Sequence, residues 1–364
     1  MSSRILNVVP ESAYRGYDGV NYSSLSNLAN SPQKFRIEEA AEDSESSAML
    51  LGTVVDLLLT NKQKFDDEVY VMTAAKPSAE TMLKYCNTLA ETGDSAKAYQ
   101  ASGYKISPNA VATKFDKEGR AYFDALLVGQ GKKIVDAEML FTANQIVMQL
   151  INNPYTKKYF IEEDGVDLLF QVPIVWEIPF VSLITGENAV APAKSMLDVI
   201  RIDHHNKLIQ PVDLKTGGEG FMKSFWRYHR YLQGAMYTDA VHTAQWDRGT
   251  DLRGYTLEPM RFVYADTNLL HSPVIYKMTE KDVHAGQEGI SYVEPIGGKV
   301  ANFDDTAVGV DSIAWGTLGQ SKRKGYIQLT AELDWHLKND MWDYPYEIYK
   351  KHGEVDINAF GIKL

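Results

Sequence analysis

The sequence predicts an α/β fold, or its α+β variant, in which a mixed central sheet is flanked by helices and carries a helical insertion. Three observations predict it. Apolar residues recur at helical spacing from residue 21 to about 160, strand-like runs follow from 166 to 278, and a long amphipathic stretch at 221–244 interrupts those strands.

The elements follow in order. "NYSSLSNLANSPQKFRIEEA" (21–40) reads as a capped helix with serine oxygens at its start and an apolar stripe of Leu25, Leu28 and Phe35, broken near Pro32. "SESSAMLLGTVVDLLLTNKQKF" (44–65) reads as a second, mostly buried helix, and 66–72 as a short strand. Residues 74–160 are more polar and helical, with Gly, Ser and Pro as punctuation, and form a helical insertion within a single domain spanning 1–364. Strands are expected at 166–178, 194–202, 207–214, 260–267 and 273–278, with one helix over 221–244. Residues 285–325 are rich in Gly and Asp and end in the basic cluster "SKRKG"; the tail from 331 reads as helix followed by an aromatic segment.

Composition excludes several classes. The 364-residue chain is 45% hydrophobic and 23% charged, ordinary values for a globular protein. Its one cysteine, Cys86, excludes a disulfide framework and a four-cysteine metal site, and points to a reducing, intracellular compartment. The N-terminal residues lack a basic-then-apolar signal pattern, and no apolar run approaches the roughly 20 residues that span a bilayer. A net charge of −11 argues against coating nucleic acid by bulk attraction, yet leaves room for a local basic groove. No GxxxxGK[ST] loop is present.

The chemistry concentrates in "SMLDVIRIDHHNKLIQPVDLKTGG" (195–218), an apolar hairpin with acids where packing favours Val or Ile. If "DHHN" forms its turn and Ile202 pairs with Lys207, Asp198 faces Pro211, with Asp213 one diagonal step away on the same face and Lys215 two residues further along it. A one-residue slip would part Asp198 from the others. Two carboxylates beside an ammonium suit metal-assisted phosphodiester hydrolysis. The acids offer hard oxygen ligands for Mg²⁺, or Mn²⁺ in its place, and the lysine offers charge stabilisation near the attacked phosphate. An ion-paired patch at a sheet edge is the competing explanation. On the following helix Arg230, Gln233 and Tyr237 recur at spacings of three and four, with Lys223 and Arg227 earlier. That polar stripe suits a DNA backbone, or is a wet helix face. Thr216, Arg227, Arg230, Gln233 and Tyr237 form the expected DNA-contacting set.

In order and spacing these residues resemble the PD-(D/E)XK nuclease superfamily, within it the RecB-like exonucleases, and most the RecE (exonuclease VIII) type of phages and prophages. The resemblance rests on Asp198, then Asp213-Leu214-Lys215, then Gln233-x-x-x-Tyr237, and on the stretches "YSSLSNLANSPQKFR", "SSAMLLGTVVDLLL", "GKKIVDAEMLFTANQIVMQLINNPYTKKYF" and "MRFVYADTNLLHSPVIYKM", so that it spans roughly residues 20–280. It implies a PD-(D/E)XK core with Asp198 and Asp213 as metal-binding acids, the Leu214 carbonyl as a backbone ligand and Lys215 as the catalytic lysine. Gln233 and Tyr237 would orient DNA. Gln171 stands where relatives often carry an acid and is given no ligand role. Asp56, in "GTVVD", stands where many relatives carry His, and is a candidate metal ligand on a helix whose Gly52, Thr53, Asp56 and Thr60 side could instead face water.

What the resemblance implies is a Mg²⁺-dependent exonuclease acting on double-stranded DNA ends in the 5′→3′ direction. It would serve phage-type recombination beside a single-strand annealing recombinase, as a homo-oligomeric ring in the cytoplasm, or host cytoplasm if phage-encoded. A ring would also reconcile the acidic chain with DNA, by gathering basic residues in its channel. Two rivals are an endonuclease of the same superfamily and a non-catalytic DNA-binding or inhibitor protein on a decayed nuclease fold.

Overall fold

The computed structural model describes residues 9–40, 46–246, 252–292 and 321–352. Within them the chain divides into two compact units, one made of Met1–Ser44 with Leu150–Leu364 and the other of Glu45–Gln149.

The first unit opens with α1 (Glu11–Gly16), α2 (Tyr22–Asn30) and α3 (Pro32–Ala40). The expected helix is thus two, parted at Ser31. Its first cap is not a serine: Asn21 accepts the Ser24 amide at 3.0 Å, while Ser31 Oγ accepts the Lys34 amide at 2.9 Å and Pro32 starts α3, where its missing N–H costs nothing.

In the second unit, α4 (Ser47–Thr60) is capped by Ser46 Oγ and gives way at Asn61 to α5 (Lys62–Glu68). There follow β1 (Val69–Met72), α6 (Glu80–Thr92), α7 (Ser95–Ser102), α8 (Pro108–Glu118), α9 (Arg120–Val128) and β2 (Lys133–Asp136), which pairs in parallel with β1. The strand β2 falls in a stretch expected to be helical. Met82, Tyr85, Cys86, Ala98, Val111 and Phe115 make this unit's core. Helix α10 (Ala137–Asn152) runs across the division between the units.

The first unit resumes with the central sheet. Its strands are β3 (Val166–Val181), β4 (Asn188–Asp203), β5 (Leu208–Gly217), β6 (Thr256–Leu257), β7 (Arg261–Asp266) and β8 (Val274–Lys277). Spatial order is β3-β4-β5-β7-β8, with β6 also on β5. The sheet is mixed: β3–β4, β4–β5 and β7–β8 are antiparallel, and β5 runs parallel to β6 and β7. Pro211 sits in a central strand without breaking it. It lies between the stretch of β5 paired with β6, ending at Ile209, and the stretch paired with β7, starting at Val212, so its absent N–H falls in a gap of that ladder.

Between β5 and β6 the expected single helix is again two, α11 (Phe221–Arg227) and α12 (Arg230–Trp246), separated by Tyr228 and His229. His229 takes a left-handed φ of 51°, which ends one helix and redirects the next. The apolar face of α12 (Leu232, Ala235, Met236, Ala240, Val241) shares one core with Ile174, Ile200, Ile202, Ile209 and Phe262 of the sheet and Leu329 and Leu333 of the helix Tyr326–Asn339. Helix α13 (Glu280–Glu288) approaches α12 so closely that a Cβ on Gly286 would lie 2.5 Å from both Ala235 Cβ and the Tyr231 carbonyl oxygen. The short strands β9 (Ile290–Tyr292) and β10 (Ser321–Arg323) pair with each other, and of the Gly- and Asp-rich stretch the part from 293 to 320 lies outside the described residues. No helix among the described residues is long and apolar enough to cross a membrane.

Candidate active site

The hairpin turn is residues 204–207, with Lys207 in the left-handed region (φ 51°). Asp203 therefore pairs with Leu208, Ile202 with Ile209 and Val199 with Val212. The expected register paired 202 with 207, so the observed one is displaced by two residues. A displacement of two keeps every side chain on its face. It improves the constellation: one step beyond the Val199–Val212 pair, Asp198 stands opposite Asp213 rather than Pro211. Both acids continue the row of Ile200, Ile202 and Ile209, each fully buried, so they lie on the core side of the sheet.

Asp213 is 2% exposed, and a carboxylate so buried needs partners. It has two: the Lys215 ammonium pairs with Oδ2, and Gln233 Nε2 donates to Oδ1 at 2.9 Å. Asp198, half-buried, accepts the Leu214 amide on Oδ2 at 2.8 Å, which ties β4 to the main chain between Asp213 and Lys215. Thr216 follows, half-buried on β5 and paired with Ala265. The loop beyond is fastened by Tyr264, whose hydroxyl donates to the Gly217 carbonyl at 2.6 Å, and by Asn268, whose amide donates to the Gly218 carbonyl at 3.1 Å.

The helical stripe is not a uniform wet face. Gln233 and Tyr237 are 3% and 8% exposed and point to the sheet; Gln233 is spent on Asp213. Burial pushes the Tyr237 phenol well above its ordinary pKa, and the Asp213 and Asp198 carboxylates push the same way. Because the helix breaks at Tyr228–His229, Lys223 and Arg227 do not continue the α12 stripe. Both pair with Glu219, at 3.2 and 3.1 Å, so the two cations share one exposed carboxylate on α11 and its approach. Arg230 stays near the acids: its Nε is buried with no hydrogen-bond partner, and its guanidinium lies 5.4 Å from the Tyr228 ring centre. The Tyr22 phenol, pushed up to about 12 chiefly by burial, feels both the Arg230 charge, which lowers it, and the Asp213 charge, which raises it further.

A polar cleft of about 520 Å³ opens beside Tyr237, lined by Tyr14, Arg15, Tyr22, Ser23 and Lys194 among others. Sequence reasoning passed over Lys194 and Tyr22. Lys194 had a legible signal, since it precedes Asp198 by four on the same strand and so shares its face. Its ammonium donates to the Tyr17 carbonyl at 2.7 Å and lies 5.5 Å from the Tyr14 ring centre. Tyr22 had none, because its nearness to Asp213 comes from tertiary packing alone.

Asp198, Asp213 and the Leu214 carbonyl would offer only oxygen donors, the kind that suit a hard divalent cation such as Mg²⁺, which is held by one or two carboxylates and keeps several waters. No group of three or more His, Cys, Asp or Glu is placed to hold a metal among the described residues. Asp56 lies half-buried on α4, in the second unit, where its carbonyl accepts the Thr60 hydroxyl at 2.8 Å.

No family model matches the chain. It is 29% identical over 132 residues to translation machinery-associated protein 64 of Saccharomyces cerevisiae, a match that covers 35% of this chain and 23% of that protein. The chain thus spans under a quarter of the length of that curated relative. A crystal structure from Eubacterium rectale, whose protein bears the provisional name exonuclease, aligns over 76% of this chain and 78% of its own at 15% identity, with a TM-score of 0.37. Likenesses this partial assign no family, and the site's own geometry carries the functional reading.

Proposed function

We propose that this chain is a Mg²⁺-dependent deoxyribonuclease of the PD-(D/E)XK type that degrades duplex DNA from its ends. The observation that carries the reading is the Lys215 ammonium seated on the buried Asp213 carboxylate, with Asp198 across the same hairpin. Asp198, Asp213 and the Leu214 carbonyl are the groups that would hold Mg²⁺ or Mn²⁺. When bound, the ion supplies Lewis-acid stabilisation of charge on the phosphate and acidifies nearby water. Lys215 places a positive charge where negative charge builds as water attacks phosphorus and the P–O bond breaks, a role for which a preorganised ammonium is suited. Gln233 holds the Asp213 carboxylate in one orientation through its Oδ1 hydrogen bond. Arg230 and Lys194 give the acidic chain a local positive rim for phosphates.

The resemblance to the RecE type supports the finer parts of the proposal: 5′→3′ polarity, a ring-like homo-oligomer, and action in phage-type recombination beside a single-strand annealing protein. The test is digestion of linear and covalently closed duplex DNA in Mg²⁺, Mn²⁺ or EDTA. Loss of linear DNA only with metal is expected. Full activity in EDTA would remove the metal mechanism, efficient cutting of closed circles would favour an endonuclease, and inertness toward both would favour the non-catalytic alternative.

A further inference from the structure

Tyr228 is the structural oddity of this region. It is 48% exposed, although it sits between two helices that bury Phe221, Phe225, Tyr231 and Tyr237. It ends α11, and the next residue, His229, pays for the sharp turn with its left-handed φ of 51°. Exposed loop aromatics are commonly mobile, but the backbone here is pinned. The Tyr228 carbonyl accepts the hydroxyl of Tyr22 and the Ser26 hydroxyl at 3.3 Å, and the Tyr228 amide donates to the Ser224 carbonyl at 3.0 Å. Two residues on, Arg230 lays its guanidinium over the ring at 5.4 Å. Three residues after Arg230 comes Gln233, which holds Asp213. Tyr22 joins the two ends of this chain of contacts, since it grips Tyr228 and lies within the field of Asp213.

An exposed aromatic ring on a pinned backbone, with a cation over its face and joined through Tyr22 to the surroundings of Asp213, has the form of a stacking platform. Every nucleobase offers a π-face, and base–aromatic stacking is indifferent to sequence. We infer that Tyr228 is a base-stacking subsite, taking the base of a nucleotide beside the scissile phosphate while Arg230 faces the phosphate itself. This rests on the nuclease reading above and deepens it by naming where the base, rather than the phosphate, is held.

The test compares linear duplex DNA with natural termini against the same duplex carrying an abasic tetrahydrofuran nucleotide at its ends, in Mg²⁺, for the full-length wild type, Tyr228→Phe and Tyr228→Ala. Wild type and Tyr228→Phe should cleave the natural end with a KM at least about five-fold lower than the abasic end, the lower bound of an alanine-scanned stacking contact. Tyr228→Ala should treat both ends alike. Retained discrimination by Tyr228→Ala, or its loss in Tyr228→Phe, overturns the inference. A metal-free arm separates it from the nuclease reading: quenching of 2-aminopurine in a single-stranded oligonucleotide should be strong with wild type and weak with Tyr228→Ala. Equal quenching by both sinks the subsite whether or not the protein cleaves DNA. An inert wild type with quenching lost only in Tyr228→Ala sinks the nuclease reading and keeps the subsite.

Discussion

Gln171 stands across the β3–β4 ladder from Asp198, at a position with no registered pair although Phe170 pairs with Val199 and Val172 with Leu197 on either side. Its φ of 49° is left-handed, which a residue with a Cβ adopts at a cost of roughly 1–2 kcal/mol. Strain of this kind persists where the surroundings over-determine it, and it gathers at functional sites. Gln171→Gly is therefore expected to hold or raise stability, by up to ~1 kcal/mol in urea unfolding, while slowing DNA cleavage by as much as about 10²-fold through a loosened Asp198. A variant that loses stability and keeps full cleavage would show that Gln171 serves packing alone.

Lys215→Ala should lower cleavage by on the order of 10²–10³. It should also destabilise the fold, because the buried Asp213 would be left as an uncompensated carboxylate at a cost of about 3–5 kcal/mol. Lys215→Ala with Asp213→Asn should recover most of that stability and none of the activity. Thermal melts of the single and double variants, beside cleavage assays, check both halves.

Arg230→Ala should weaken DNA binding and reduce the magnitude of the log–log salt slope by about 1, as for the loss of one phosphate contact. Arg227→Ala should change both less, because Arg227 is held at the exposed surface on the Glu219 carboxylate it shares with Lys223. Gln233→Ala should act on turnover more than on DNA affinity, since its amide serves Asp213. Fluorescence anisotropy across a salt series distinguishes the three.

Stability should fall between about pH 4.5 and 7 because of Glu332, on the helix Tyr326–Asn339. Burial raises the Glu332 pKa from 4.5 to about 7, against the opposing pull of Lys324 at 2.7 Å and with the help of Glu347, which the same ammonium also holds at 2.7 Å. A folded-state pKa above the unfolded one contributes stability that is complete below pH 4.5 and is lost as pH rises through 7. Glu332→Gln should flatten this dependence, worth on the order of 2–3 kcal/mol. Denaturant midpoints at pH 5 and 8 measure it, and an unchanged difference between them would refute it.

The hairpin and its acids were legible because they depend on a period of two and a turn, both local. Even the misplaced turn did little harm, since a displacement of two preserves the face. The helix breaks were harder. Nothing in the apolar spacing of 221–244 announces His229 as left-handed, and the α2 hydroxyls that hold the Tyr228 carbonyl come from some two hundred residues away. The same misreading made one continuous polar stripe, suited to a DNA backbone, of Lys223, Arg227, Arg230, Gln233 and Tyr237, two of which are buried. Strand β2 was missed for a related reason: its partner β1 lies more than sixty residues upstream, and four residues carry little periodicity of their own.

The row Ile202–Ile200–Asp198 on one strand and Ile209–Pro211–Asp213 on the next works as a ruler. Sliding β4 against β5 by one residue would turn β4 over, taking Ile200 and Ile202 away from the core they share with Ile209 and bringing Arg201 to that side. The alignment of the two acids, which no packing force would select for its own sake, is thereby underwritten by the oiliest residues of the hairpin. Insertions into residues 204–207 should be absorbed as a longer turn and leave the acids face to face, whereas polar substitutions at Ile200 or Ile209 should disorder the acids without touching them. A screen for inactive variants should for that reason return core isoleucines alongside the aspartates.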